Sequence, residues 1–300
     1  MKTPIPYPGD NREDPGGFKA KARRHQSNFR INELKIDCVD PYGNTISNEH
    51  GAELMNFYSG LGVQEVARAR YPRFKSMLHC NLLRSEHIPI NLFGPFVSAN
   101  HRQVLSDALG SILGRKIEQI NDVIIEHAPS PATDYLNDRT SFDTFIDYTD
   151  STLGRGALGV EVKYTEGHYT VGKKEAIEVA NTESLYHKLT SGCGIFRPEC
   201  TSQLISDHYR QIWRNHLLGE SIVRKHPETY NHFTLITLYP QGNVRISEAC
   251  KHYHEFLRDG LKDHFVPLTY ELYLDSLSHY TKDPELLGWI EYCMRRYLVD

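Results

Sequence analysis

The sequence predicts an α/β (or α+β) fold, a mixed sheet flanked by helices, because the period of its apolar residues changes along the chain. Over the first 113 residues apolar side chains recur at helical spacing. Between Ile117 and Tyr164 they are rich in Ile and Val and alternate, and beyond residue 199 helical spacing returns around a short apolar strand. No internal repeat is evident. A chain of 300 residues, 39% of them hydrophobic, suffices for one large domain or two small ones.

Residues 18–35 read as a basic helix that ends near a loop containing Pro41-Tyr42-Gly43-Asn44. Residues 47–66 read as a short helix broken at Ser59-Gly60. Tyr71-Pro72 marks the start of a helix running to His87, with Pro89 as its stop. A further helix covers 101–113. Three strands follow: Ile117–Glu126, Ser141–Tyr148 and Ala157–Tyr164, the last two joined by the hairpin Leu153-Gly154-Arg155-Gly156. Then come a helix over 199–223, a strand Phe233–Tyr239 closed by Pro240-Gln241-Gly242-Asn243, and a helix near 246–259. A strand near 265–274 and a helix near 283–297 complete the order.

Several classes are excluded by composition. No run of eighteen apolar residues exists, so no membrane span is expected. Met1–Gly17 is rich in Pro, Gly and Asp and reads as a flexible lead-in rather than a secretory signal. Six scattered cysteines without a CxxC pair point to a reduced, cytoplasmic protein. Cys250-x-His252-x-His254 has no complementary pair at finger spacing, so a structural zinc is not expected there. The net charge is −4, all of it in Ile246–Asp300, with ten acidic and six basic residues. The neutral remainder carries two basic clusters, Lys19–Arg30 and Arg68–Arg84, of a kind that suffices for phosphate contacts.

The sharpest chemical signal lies in two neighbouring strands. Side chains alternate across a strand, so Glu161 and Lys163 project from one face while Val160 and Val162 project from the other. If the hairpin pairs the strands, Asp143 lies beside Glu161. Two adjacent carboxylates raise each other's pKa unless a cation neutralises them, and Mg²⁺, with Mn²⁺ as a substitute, suits oxygen ligands. A lysine two residues from such a ligand can stabilise an attacking hydroxide or phosphate charge, which is equipment for phosphodiester hydrolysis. A bare E-x-K triplet is common as a surface pair, so its setting carries the inference. Within the helix read at 73–87, Phe74, Leu78, Leu82 and Glu86 trace one stripe, which brings Glu86 toward the sheet as a third acid and metal ligand. The alternative is that Glu86 is released to solvent or pairs with Arg84 or His87.

An acidic helix residue, a strand with Asp, a strand with Glu-x-Lys and a helix carrying Gln resemble the PD-(D/E)xK nuclease superfamily. The resemblance implies a restriction-endonuclease-like αβββαβ core with extra N- and C-terminal helices. It implies catalytic roles for Asp143, Glu161, Lys163, Glu86 and Gln211, and metal ligation by Asp143, Glu161 and Glu86. Phe142 stands where the motif usually has proline, and Asn215 where a tyrosine is expected four residues after Gln211. The stretches Gln26–Arg30, Tyr71–Phe74, Leu83–Pro89 and Gly159–Glu166 also resemble a bacterial group classed with restriction endonucleases.

On this reading 1–17 is a flexible segment and 18–300 a single nuclease domain, with its core at about 70–240 and an acidic extension over 246–300. Arg214, Gln26, Arg30 and Arg84 are candidates for nucleic-acid contact, although Gln26 and Arg30 equally fit a role bracing the core. Glu166 is either a loop acid or a second metal or water ligand. The expected activity is DNA endonuclease in restriction or anti-phage defence, acting as a homodimer or with a partner protein of a defence system. A repair or processing nuclease acting on DNA or RNA is the alternative within enzymes, and a non-catalytic nucleic-acid binder the alternative outside them. The chain has no GxxxxGK[ST] loop, so NTP hydrolysis would need another subunit.

Overall fold

The computed structural model describes residues 17–138, 140–166 and 173–299. The lead-in expected over 1–17 therefore falls, apart from Gly17, outside the described residues. Helix α1 (Phe18–Phe29) continues as a wider π turn through Leu34, and two short helices follow, α2 (Asn48–Ala52) and α3 (Val63–Arg70). They precede α4 (Ser76–Cys80), α5 (Ile88–Val97) and α6 (Arg102–Leu113). The sheet begins with β1 (Ile117–His127), β2 (Phe142–Asp150) and β3 (Gly154–Val162). After α7 (Lys173–Ala180), α8 (Leu185–Cys193), α9 (Thr201–Leu204) and α10 (Arg210–Lys225), the chain returns to the sheet as β4 (His232–Tyr239). Then α11 (Val244–Glu255), β5 (Phe265–Thr269), α12 (Tyr270–His279) and α13 (Pro284–Tyr297) complete it. No helix among the described residues is long and apolar enough to cross a membrane.

The five strands lie in the order β1-β2-β3-β4-β5. The first three pair antiparallel, and β3-β4 and β4-β5 pair parallel, so the sheet is mixed as expected. Its two faces support two cores. Ile146, Tyr148, Leu158, Val160 and Val162 face α5, α6, α12 and α13, while Phe145, Ala157, Phe233 and Leu235 face α8, α10 and α11. Residues 246–299 are woven into both cores: they supply β5, and Tyr273, Trp289 and Tyr297 are fully buried.

Three readings of the sequence are corrected. The helix expected over 73–87 is only five residues long, Ser76–Cys80. Beyond it Asn81 is extended and bridges Thr45, with Leu82 N–H bonded to the Asn44 carbonyl, so pairing with a distant segment overrides local helical spacing. Phe74, read as part of the stripe facing the sheet, is 45% exposed. Pro89 does not stop a helix but sits in the first turn of α5, where its missing N–H costs nothing. Helix α5 (IPINLFGPFV) is buried on nearly every side and has no polar face for a periodicity to reveal. The strand expected over 265–274 ends at Thr269, whose hydroxyl accepts from Leu272 N–H and starts α12.

Close approach of α10 to the sheet depends on two glycines. A Cβ on Gly219 would lie 2.0 Å from the Phe233 ring, and one on Gly159 would lie 2.4 Å from Phe142 and 2.8 Å from Phe233. The Phe233 ring thus occupies space that side chains at either position would need. Gly219→Ala is expected to destabilise the protein by about 1–3 kcal/mol through overpacking, read as a lower midpoint in urea denaturation. An unchanged midpoint would mean that the helix backs away freely.

Candidate active site

One residue beyond the ladder pair Thr144–Val160, the register sets Asp143 opposite Glu161. β2 starts and β3 ends here, at the edge of a pocket of about 330 Å³ that Arg84, Glu86, Lys163 and Gln211 also line. Lys163 follows β3 and is still held against β4, its N–H bonded to the Leu238 carbonyl at 2.8 Å. The expected juxtaposition of Asp143, Glu161 and Lys163 is therefore set first by strand register.

Glu161 is 4% exposed and every polar contact around it is a donor. Lys163 Nζ donates to Oε1 at 2.7 Å, and Gln211 Nε2 donates to the same oxygen. Asn215 Nδ2 donates to Oε2. Gln211 and Asn215 are four apart on α10 and so lie on one face of it. Gln211 Oε1 in turn accepts from Lys163 Nζ, closing a ring of three side chains. Burial alone would lower the Lys163 pKa, but the charges of Glu161 and Glu166 outweigh it and hold the ammonium above its usual range.

Asp143 differs. Its Oδ2 accepts the Val162 N–H at 2.7 Å, but burial first, then the charges of Glu161 and Glu126, push its pKa well above the usual carboxylate range. The residues fit a divalent cation: two carboxylates converge, one holds its negative charge at a cost, and hard oxygen donors suit Mg²⁺ or Mn²⁺. Asp143 and Glu161 would hold such an ion.

Glu86 reaches the same pocket, but from the loop after α4 rather than from a helical stripe. Both its oxygens accept from Arg84, one at 2.7 Å. Burial would raise its pKa, yet the Arg84 fork and the charge of Lys163 prevail and lower it. Arg84 is exposed at the mouth of the pocket. Glu166 accepts from Ser85 Oγ at 2.6 Å and from Tyr164 N–H at 2.8 Å, tying this loop to the end of β3.

Three candidates for nucleic-acid contact are used internally instead. Gln26 is 0% exposed and donates to the Tyr164 hydroxyl at 2.9 Å and the Arg296 carbonyl at 2.6 Å. Arg30, 1% exposed, donates to the carbonyls of Gly43 and Ile36. Both brace α1, as their alternative reading had it. Arg214 donates to Asp138 at 2.8 Å, to Thr140 and to the Tyr186 hydroxyl, and so fixes the segment entering β2.

Two participants were not among the candidates. Asn215 stands where the sequence comparison expected tyrosine, and only its contact with Glu161 reveals its part. Glu126, at the end of β1, sits in the left-handed region at φ 56°, and burial, opposed by Arg70, raises its pKa. An acid closing the apolar run Val123-Ile124-Ile125 was the available signal.

A family model described as the PD-(D/E)XK nuclease superfamily matches residues 8–299. The chain belongs to the PD-(D/E)XK nuclease superfamily. No curated protein and no solved structure matches it. The superfamily implies phosphodiester hydrolysis and a nucleic-acid substrate in general, and divalent metals are typical of its members. The mixed sheet with flanking helices agrees with its α/β restriction-endonuclease-like fold.

Asn215 holds one oxygen of Glu161. Asn215→Ala is expected to weaken divalent-ion binding and cleavage by about 10–100-fold, with Asn215→Asp failing to restore either because it places a second charge against Glu161. Calorimetric titration with Mn²⁺ reads the first effect. Asp143 yields a pH prediction. Its raised folded pKa means that the folded state binds the extra proton, so in EDTA stability falls as pH rises from the ordinary carboxylate pKa through the folded one. Asp143→Asn removes that fall. Relieving that cost is expected to raise Tm at neutral pH in EDTA, and an unchanged Tm would show that Asp143 carries no such strain.

Proposed function

We propose that this chain is a metal-dependent endonuclease that hydrolyses phosphodiester bonds in DNA, with Asp143, Glu161 and Lys163 as its catalytic residues. The observation that carries the reading is the convergence of two carboxylates and one ammonium, with Glu161 held by donors on both of its oxygens. A bound Mg²⁺ or Mn²⁺ supplies Lewis acidity and an activated water. Lys163, kept protonated and pinned between Glu161 and Gln211, presents fixed positive charge where a phosphate oxygen develops negative charge. Glu86 is a further acid lining the pocket, as are Glu166 and Asp207, and Gln211 orients both Glu161 and Lys163.

Substrate access is supported by two basic surfaces beside the pocket. A groove of about 980 Å³, lined by Lys19, Arg23, Arg84 and Arg245, shares Arg84 and Glu166 with the catalytic pocket. On another side Arg70, Arg73 and Lys75 line a hollow together with Glu126, whose charge acts on Asp143. Arg84 is the phosphate contact nearest the chemistry. Restriction or anti-phage defence is the setting we infer, from the likeness of Leu83–Pro89 and Gly159–Glu166 to the bacterial restriction group. Six free thiols support a reducing compartment, the cytoplasm.

Purified protein incubated with plasmid DNA and Mg²⁺ is expected to cut it, and EDTA to stop cutting until Mg²⁺ or Mn²⁺ is restored. Asp143→Ala, Glu161→Ala and Lys163→Ala should each lower the rate at least about a hundredfold while circular dichroism stays unchanged. Full activity in Glu161→Ala would overturn the assignment. Cleavage of RNA but not DNA would transfer the same chemistry to a processing nuclease.

A further inference from the structure

A second cluster of ligating side chains lies on a different face of α10 from Gln211 and Asn215. His216 and Glu220 are four apart on the helix, one above the other. His264 comes to them from the turn Lys262–His264 that leads into β5. One ligand atom from each lies within 4.8 Å of the others, and His264 Nδ1 is 3.7 Å from Glu220 Oε1.

The unpartnered atoms give the cluster its direction. His216 is 0% exposed, its Nδ1 lies 3.1 Å from the Tyr253 hydroxyl, and its Nε2 has no hydrogen-bond partner among the described residues. His264 Nδ1 likewise has none. A buried nitrogen left without a partner costs stability. With Nδ1–H donating to Tyr253, Nε2 keeps its lone pair for a ligand, the arrangement by which an outer partner fixes the metal-binding tautomer of a histidine.

We propose that His216, Glu220 and His264 form a transition-metal site, fitted to Zn²⁺, that ties α10 to the segment entering β5. Two imidazoles and one carboxylate are the ligand types of zinc rather than of Mg²⁺, which prefers oxygen alone. Three protein ligands leave a fourth position for water, reached past His264, whose side chain is 24% exposed. Helix α10 carries Gln211 and Asn215, which hold Glu161, so a clamp at His216 and Glu220 fixes the helix that positions the acidic pocket. The site is separate from that pocket, and its existence does not depend on the proposed nuclease activity.

The test uses the untagged full chain, dialysed against Zn²⁺, desalted and measured by elemental analysis. About one zinc per chain is expected in the wild type and in Asp143→Asn, and none in His264→Ala or Glu220→Gln. These two variants decide the matter because the His264 and Glu220 side chains keep some exposure, 24% and 12%, whereas His216→Ala opens a fully buried site. At a hundredfold excess over Kd, Zn²⁺ should raise the wild-type Tm by roughly 5–10 °C and leave that of folded His264→Ala unmoved. Equal zinc binding by wild type and His264→Ala would overturn the proposal. So would loss of zinc in Asp143→Asn alone, which would place the ion in the acidic pocket, or a folded wild type that retains no zinc and shows no rise in Tm. None of these readouts involves cleavage, so a failed nuclease assay leaves them standing.

Discussion

A carboxylate buried at the end of a central strand sets the main constraint on this molecule. Glu161 is nearly without solvent, and an ionised carboxylate so placed is tolerated only when paired and hydrogen-bonded. Lysine two residues along supplies charge, and α10 supplies two amides, so both oxygens are engaged. Removing one donor would leave a buried charge short of partners, which costs more than the intact contact contributes. The site and the fold are thus the same set of bonds seen from two sides.

That arrangement requires α10 to lie close against the sheet. Amide side chains are short, and they span the gap because Gly159 and Gly219 leave the Phe233 ring room between strand and helix. Arg214, on the same helix, anchors the segment that enters β2 two residues before Phe142. The helix therefore positions Asp143 and Glu161 at once, one through the strand start and the other through direct hydrogen bonds. Asp143 remains the strained member, its charge opposed by burial, Glu161 and Glu126. Such tension is characteristic of sites in which stability is surrendered for chemistry.

The opposite core explains why residues 246–299 are indispensable to this geometry. Tyr270, at the start of α12, donates to the Lys163 carbonyl at 2.6 Å, and Gln26 and Arg296 meet beside Tyr164. The strand end that carries Glu161 and Lys163 is therefore held from both termini of the chain. Candidates such as Gln26 and Arg30, whose chemistry suits phosphate, are consumed in this bracing.

The five strands in their order, the mixed sheet and the placing of Asp143, Glu161 and Lys163 side by side were legible in the sequence because they rest on local periods. Alternation at Gly159–Tyr164 puts two side chains on one face whatever surrounds them, and a Gly-rich hairpin fixes which residues of β2 and β3 meet. The route of Glu86 into the pocket was misread because the bridge between Thr45 and Asn81 ends the helix on which the argument stood. Helix α5 escaped notice because a helix buried all round has no amphipathic period. Asn215 looked like a mismatch for want of any local signal: its partner lies 54 positions away. Which face of a strand a residue occupies is dictated by its own backbone. Which side chain from another element meets it there is decided by packing across the core, and only the tertiary structure contains that distance.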